Sequence, residues 1–173
     1  MKLNIAARSF LLVGLLAHLL SAADTPKAAP LLRLDDYRPG YMAAEEHCLL
    51  VLSDGRYHAE RIVKKRNEPS EGAVSEGTLP AGDFERLRKI LDTKEFAALA
   101  TPSQKKLLVV EDLHMLDISV ARGSGWQSVV YQNDAARKHD NVTLRPLLTW
   151  WKELERASRF SASATNRCSY QRE

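Results

Sequence analysis

The alternation of apolar and polar residues between positions 113 and 132 constrains the fold more than any other stretch of the chain. Leu116, Ile118 and Val120 are separated by single residues, and a glycine-rich turn at 123–125 precedes a second apolar stretch. A period of two is typical of a strand that buries only one of its faces. The segment therefore predicts a β-hairpin.

A second hairpin is predicted around the dipeptide Asp54-Gly55, which joins the apolar segments 49–52 and 57–63. Asp-Gly supplies the positive φ angles that a two-residue hairpin loop requires. With this loop, directly opposed residues share one face of the hairpin. The residues expected on the core side are Leu50, Leu52, Tyr57 and Ala59.

Each hairpin is followed by an apolar pattern with helical spacing. The first pattern comprises Phe84, Leu87, Ile90 and Leu91, and the second comprises Leu144, Leu147, Leu148, Trp151 and Leu154. Such spacing predicts helices with one apolar side. Two one-sided helices can cover one face of a sheet. The order of elements predicts an α+β fold, a four-stranded antiparallel sheet in β-β-α-β-β-α order with two helices on one face.

The first 23 residues have the pattern of a secretory signal peptide. Lys2 and Arg8 precede an apolar run over 10–20, which ends in Ser21-Ala22-Ala23. The run has about 11 residues, whereas a membrane-spanning helix needs about 20. We expect cleavage after Ala23 and an exported protein, periplasmic or secreted, without a membrane span. An uncleaved membrane anchor is the alternative.

The predicted signal peptide at 1–23 is followed by three further regions. Residues 24–42 are predicted to be a flexible linker, because prolines interrupt any period at Pro26, Pro30 and Pro39. Residues 43–157 form the predicted single α+β domain, with a polar loop over 64–77. Residues 158–173 are predicted to be a disordered C-terminal tail.

The net charge of the chain bears on whether a nucleic acid is an expected partner. Without residues 1–23 the 25 Lys and Arg fall to 23, against 22 Asp and Glu, so the net charge is +1. This balance gives no reason to expect a nucleic-acid partner.

The two cysteines, Cys48 and Cys168, are a candidate disulfide in an oxidising compartment, although a sequence cannot place them within bonding distance. Their spacing does not fit a zinc site.

No combination of residues in the chain has the pattern of a catalytic or cofactor-binding motif, so the leading expectation is a protein that is not an enzyme and has no cofactor. The alternative is a small metal-dependent hydrolase. Its candidate ligands precede the first strands of the two hairpins and are His47, Glu45, Glu46, Glu111 and Asp112.

Three segments carry a family resemblance: LVLSDGRYHAER, GTLPAGDFERLRKILDTKEFAAL and LRPLLTWWKELE. Their layout resembles small exported bacterial domains of unknown function, in which a hairpin is followed by a helix with a Phe-x-x-Leu stop. Phe96 and Leu99 match that stop. The layout is also similar, more weakly, to emfourin-type protein inhibitors of metallopeptidases. The resemblance covers residues 47–156, bears on the fold, and transfers no functional residue.

The leading hypothesis for function is an exported module that binds a protein or an envelope component; a purely structural envelope component is a further alternative. The sheet face away from the helices is the expected contact surface. Its candidate residues are Arg56, His58, Glu60, Asp117, Ser119 and Gln127. Trp150, at the flank of the last helix, is a further candidate, because exposed indoles often anchor interfaces; packing against the sheet is its alternative role.

Overall fold

Seven strands form one antiparallel sheet in the part of the chain that the computed structural model describes, residues 28–102 and 113–163. The strands are β1 (Pro30–Pro39), β2 (Ala43–Leu52), β3 (Arg56–Lys65), β4 (Glu71–Thr78), β5 (Met115–Arg122), β6 (Gly125–Tyr131) and β7 (Ser161–Ala162). Their order across the sheet is β6-β5-β1-β2-β3-β4-β7. The helices are α1 (Ala81–Leu91), α2 (Lys94–Ala97), α3 (Asp134–Arg137) and α4 (Asn141–Ala157).

The predicted four-stranded sheet in β-β-α-β-β-α order is therefore wrong. The hairpins β2-β3 and β5-β6 do form, but they are not neighbours in the sheet. Strand β1 lies between them and pairs with β2 on one side and with β5 on the other. Three strands that the sequence interpretation lacked, β1, β4 and β7, complete the sheet.

The prediction of a flexible linker over residues 24–42 is wrong for residues 30–39, which form strand β1. Leu32 and Leu34 are fully buried, and they lie opposite Val51 and Leu49 of β2. Pro30 and Pro39 stand at the two ends of the strand, where proline is tolerated because it removes no hydrogen bond from the middle of the ladder. The prolines therefore delimit a central strand.

Strands β4 and β7 form in two further segments that the sequence predicted to be a loop and a disordered tail. Residues 71–78 pair with residues 56–63 of β3, so residues 71–77 of the predicted loop at 64–77 belong to a strand. Ser161 and Ala162 pair with Val74 and Ala73 of β4, so the predicted disordered tail over 158–173 begins with ordered residues. The rest of that tail, from residue 164, lies outside the described residues.

The first hairpin forms with a register that differs by one residue on β2. Val51 opposes Tyr57 and Leu49 opposes Ala59, whereas the two-residue loop had predicted Leu52 and Leu50 in those places. Gly55 has a φ of 84° and its N–H donates to the carbonyl of Leu52, which makes a three-residue loop. One extra loop residue turns every side chain of β2 to the other face.

The helices pack on one face of the sheet, which we call the covered face. Its core contains Leu34, Leu49 and Ile118 from the strands and Leu87 and Leu147 from α1 and α4. The opposite side is called the open face. Cross-strand pairing places on it Arg33, Asp35, Cys48, His58, Glu60, Asp117 and Ser119. No helix within the described residues is both long and apolar enough to cross a membrane.

Candidate functional site

The predicted contact surface is only partly present on the open face. Register places Arg56, His58, Glu60, Asp117 and Ser119 there, as the sequence predicted for these five residues. Their accessibility differs, however: Arg56 is exposed, whereas Glu60 is only 2% exposed. The surface therefore cannot act as the continuous polar contact area that the sequence predicted.

Gln127 lies on the covered face, which corrects its predicted place in the contact surface. It lies opposite Val120, and its amide Nε2 donates to the carbonyls of Phe96 at 3.0 Å and Leu99 at 3.0 Å. Phe96 lies in the last turn of α2, where its carbonyl also accepts from the N–H of Leu99 at 3.1 Å, and Leu99 follows the helix. Gln127 therefore has a structural role in closing α2 onto the sheet.

Trp150 is buried, which corrects its proposed role as an exposed anchor. Both Trp150 and its neighbour Trp151 belong to the core, so the apolar side of α4 is wide enough to bury two adjacent indoles. The indole Nε1 of Trp151 is also buried and makes no hydrogen bond within the described residues. This arrangement favours the packing role for both tryptophans.

His58 connects two carboxylates on the open face. Its Nε2 lies 2.6 Å from Oε1 of Glu60, and its Nδ1 lies 2.7 Å from Oε1 of Glu76. Each ring nitrogen of His58 therefore lies within hydrogen-bond distance of a carboxylate oxygen. The arrangement occupies both ring nitrogens of His58 and leaves neither available as a base toward a substrate.

The open face is rich in carboxylates around Asp35. Burial raises the pKa of the Asp35 carboxyl, the Arg33 guanidinium 2.7 Å away opposes this, and the charges of Asp117 and Glu46 raise it further. The carboxylates of Asp117 and Glu46 therefore lie close enough to Asp35 to disfavour its ionised form. This part of the open face favours a cationic neighbour.

Cys48 lies among these carboxylates and is 3% exposed. Its thiol is not free, because Cys48 is disulfide-bonded. Its predicted partner, Cys168, lies outside the described residues, so the pairing of these two residues stays a prediction.

The candidate metal ligands do not come together in the described residues. The Nδ1 of His47, on the covered face, lies 3.0 Å from Oε1 of Glu155, whereas Glu46 is on the open face and accepts from Lys64 at 2.7 Å. Glu45 is exposed. Glu111 and Asp112 lie outside the described residues. Residues 28–102 and 113–163 contain no group of three side chains that could hold a metal ion.

His47 takes part in an ion cluster instead of a metal site. Burial raises the pKa of the Glu155 carboxyl, but the hydrogen bond and charge of His47 and the charge of Arg61 outweigh burial, and the net pKa is lowered. The Arg61 guanidinium also lies over the ring of Phe160, 4.2 Å from its centre. The cluster fixes the end of α4 against β2 and β3.

A groove of about 470 Å³ lies between α1 and α4. It is lined by Gly82, Glu85, Arg86, Lys89, Ile90, Thr93, Thr143 and Pro146. This lining contains one carboxylate and no histidine or cysteine. The described lining thus includes neither a hydroxyl beside a histidine nor a pair of carboxylates, two arrangements that hydrolytic enzymes commonly use.

Two of the three most exposed large apolar side chains within residues 28–102 and 113–163 lie at the tight turn between β1 and β2. Tyr41 is 86% exposed and Met42 is 65% exposed. The turn also approaches Arg66, whose guanidinium carbon is 5.9 Å from the centre of the Tyr41 ring. We call these three residues, Tyr41, Met42 and Arg66, the turn patch. Leu113, which is also exposed, lies at the same end of the sheet.

Backbone hydrogen bonds hold the turn patch in place. The N–H of Gly40 donates to the carbonyl of Ala43 at 2.8 Å, and the N–H of Arg66 donates to the carbonyl of Met42 at 3.0 Å. A Cβ atom at position 40 would lie 2.5 Å from the carbonyl oxygen of Ala43, so only glycine fits this turn. Tyr41 and Met42 are thus presented by a defined backbone.

The sequence interpretation missed the turn patch because it placed Tyr41 and Met42 in a linker. The signal that marks them is Pro39-Gly40, a turn dipeptide at the end of a segment in which Leu32 and Leu34 alternate with charged residues. Once residues 30–39 are a strand that pairs with β2, residues 40–42 form the turn between them, and the large apolar side chains of this turn are exposed.

Comparison with known proteins adds no assignment to this geometry. No protein-family model matches the chain, and neither does any curated protein.

Proposed function

We propose that this protein is an exported, non-enzymatic module that binds a protein partner through the turn patch. The observation that carries the proposal is the exposure of Tyr41 and Met42 at a backbone turn fixed by hydrogen bonds. Tyrosine, methionine and arginine are the residue types enriched in protein interfaces. The export part of the proposal is supported by the pattern of residues 1–23.

The charge around the turn patch indicates the chemistry of the partner. Arg66 makes no ion pair with any residue in 28–102 or 113–163. Its neighbours in the chain, Lys64 and Lys65, pair with Glu46, Glu68 and Glu71. A partner with an apolar pocket for Tyr41 and Met42 and a carboxylate for Arg66 would complement this surface.

The fixed backbone of the turn favours binding. A loop that becomes ordered only in a complex loses conformational entropy when it binds. The bonds from Gly40 and Arg66 already restrict Tyr41 and Met42 to one backbone conformation. Less of the free energy of the contacts is then lost to ordering of the turn, and the affinity is higher.

Capture from the native envelope and culture fluid, followed by affinity measurement with the purified partner, tests the proposal. The test variant is Tyr41→Ser/Met42→Ser, and the matched control is Val142→Ser, which removes another apolar side chain that is 77% exposed. Because a single interface anchor contributes about 2 kcal/mol or more, loss of even one of the two should lower the affinity of the test variant at least about 30-fold. The control variant should keep the wild-type affinity.

Two results would contradict the proposal. One is a partner that binds the wild type and the Tyr41→Ser/Met42→Ser variant equally well. The other is turnover of a substrate by the purified protein that the same variant leaves unchanged, since this would indicate an enzyme whose site lies elsewhere.

A further inference from the structure

The outer side of helix α4 carries a row of cations. Arg145, Lys152 and Arg156 are all exposed, and they follow one another along the helix at intervals of seven and four residues. With about 3.6 residues per turn, these intervals keep the three side chains on one line along the helix. The line is about 16 Å long, because each residue advances the helix by about 1.5 Å. We call these three residues the cationic row.

The cationic row lies on the side of α4 away from the core. Leu147, Trp150 and Trp151 of this helix are buried and belong to the core between the helices and the sheet. A helix that packs on a sheet in this way has one apolar side in the core and one polar side in solvent. The apolar side of α4 is therefore occupied, and the row lies on the side that a partner can reach.

The carboxylates of α4 do not neutralise the cationic row, because both are paired with other elements. Glu153 accepts from the Arg86 guanidinium of α1 at 2.6 Å, and Oε1 of Glu155 lies 3.0 Å from Nδ1 of His47 on β2. The three cations of the row make no ion pair with any residue in the described part of the chain. The row therefore presents its full positive charge to solvent, although the formal net charge of the whole chain is only +3.

We propose that the cationic row binds the surface of an anionic lipid bilayer. Phosphate-bearing lipid headgroups complement three unpaired cations, and the outer side of a helix is convex, so it suits a plane of headgroups better than a ligand that needs a pocket. Trp150 and Trp151 are buried, so α4 offers no exposed aromatic ring on which the bases of a nucleic acid could stack. Because the apolar side of α4 lies in the core, the contact is electrostatic and leaves the protein on the membrane surface. The proposal does not depend on the turn patch.

Co-sedimentation of the purified exported protein with lipid vesicles tests the proposal. One set of vesicles contains phosphatidylcholine alone, and the other contains an equal mixture of phosphatidylcholine and phosphatidylglycerol. We expect binding to the mixed vesicles only. This binding should be lost when the salt concentration is raised from about 0.1 M to about 1 M, because the Debye length then falls from about 10 Å to about 3 Å.

Substitutions at exposed positions test the row itself. Each cation near an anionic membrane strengthens binding roughly fivefold, so the partition coefficient of Lys152→Gln/Arg156→Gln should fall about 25-fold. Arg145→Gln, at the other end of the row, should lower it about fivefold. The matched control Arg88→Gln/Lys94→Gln removes two exposed cations from α1 and α2 and should bind like the wild type. Circular dichroism compares the folds of all variants.

Three results would overturn the proposal. Absence of binding to the mixed vesicles, or equal binding to both sets, would show that the row does not recognise lipid charge. An equal loss of binding in Lys152→Gln/Arg156→Gln and in the control would assign the effect to net charge and not to the row. Stronger binding to soluble polyglutamate than to the mixed vesicles would assign the row to an acidic protein instead of a membrane.

Discussion

Replacement of Leu34 by alanine tests the finding that residues 30–39 are a central strand. Leu34 is fully buried between Leu49 of β2 and Ile118 of β5, in the middle of the sheet. The substitution removes three buried carbon atoms and leaves a cavity that the paired strands on both sides prevent from closing. Leucine to alanine changes at such sites reduce the free energy of unfolding by about 3 to 5 kcal/mol.

Urea unfolding followed by circular dichroism measures this loss. We expect Leu34→Ala to lose about 3 kcal/mol or more of the free energy of unfolding, with little change in the slope against urea. The matched control is Leu113→Ala, because Leu113 is partly exposed at the end of the sheet and its loss should cost about 0.5 kcal/mol or less.

A flexible linker would give the opposite result. If Leu34→Ala and Leu113→Ala both changed the free energy of unfolding by less than about 1 kcal/mol, residues 30–39 would contribute no core, and the central position of β1 would be refuted.

Three further substitutions test the turn and the two shifted carboxyl groups. Gly55→Ala should lower the free energy of unfolding by about 1 to 2 kcal/mol, because a φ of 84° is unfavourable for alanine. Gly125→Ala, the control, should be nearly neutral, because a Cβ at this position would meet no atom within 4 Å. Thermal unfolding compares the two variants, and equal effects would contradict this turn geometry. The pKa of Glu155 is lowered in the fold, so the ionised carboxylate contributes to stability above the ordinary pKa of 4.5, and this contribution is lost as the pH falls. The stability advantage of the wild type over Glu155→Gln should therefore shrink between about pH 6 and pH 3. A constant difference would contradict the lowered pKa. The pKa of Asp35 is raised above its ordinary value of 3.8, so the wild type should lose stability relative to Asp35→Asn as the pH rises through that range, and a gain there would show the opposite sign.

Local patterns explain which elements could be predicted from the sequence. The β5-β6 hairpin has a strict apolar alternation with a glycine turn between its strands, and both signals lie within 20 residues of each other. The apolar spacing of α1 and α4 is equally local. These elements needed no knowledge of the rest of the fold.

Strand β1 could not be placed in the same way because its partners are distant in the chain. It pairs with β5 at sequence separations of 78 to 88 residues, and its open face carries charged residues such as Arg33 and Asp35. A segment with three prolines in or near it then has the composition of a linker. Residues 30–39 are distinguished from a linker only by the burial of Leu32 and Leu34 in the core with residues of β5, α1 and α4.

The same limitation explains what the sequence missed in the candidate site. Tyr41 and Met42 are recognised as a turn only when β1 and β2 are known to pair. The sequence predicts Gln127 on the open face and Trp150 at the flank of α4, whereas the structure has Gln127 on the covered face and Trp150 in the core. His58, Glu60, Asp117 and Ser119 were placed on the correct face, but their burial depends on what covers them.

Photocrosslinking from position 41 in the native envelope tests the proposed binding function most directly. A benzophenone amino acid at position 41 should give one discrete adduct of higher mass with a protein partner, because this side chain would lie within the interface. The same amino acid at position 142, which is also exposed, should give none. No adduct from position 41, or identical adducts from both positions, would contradict binding through the turn patch.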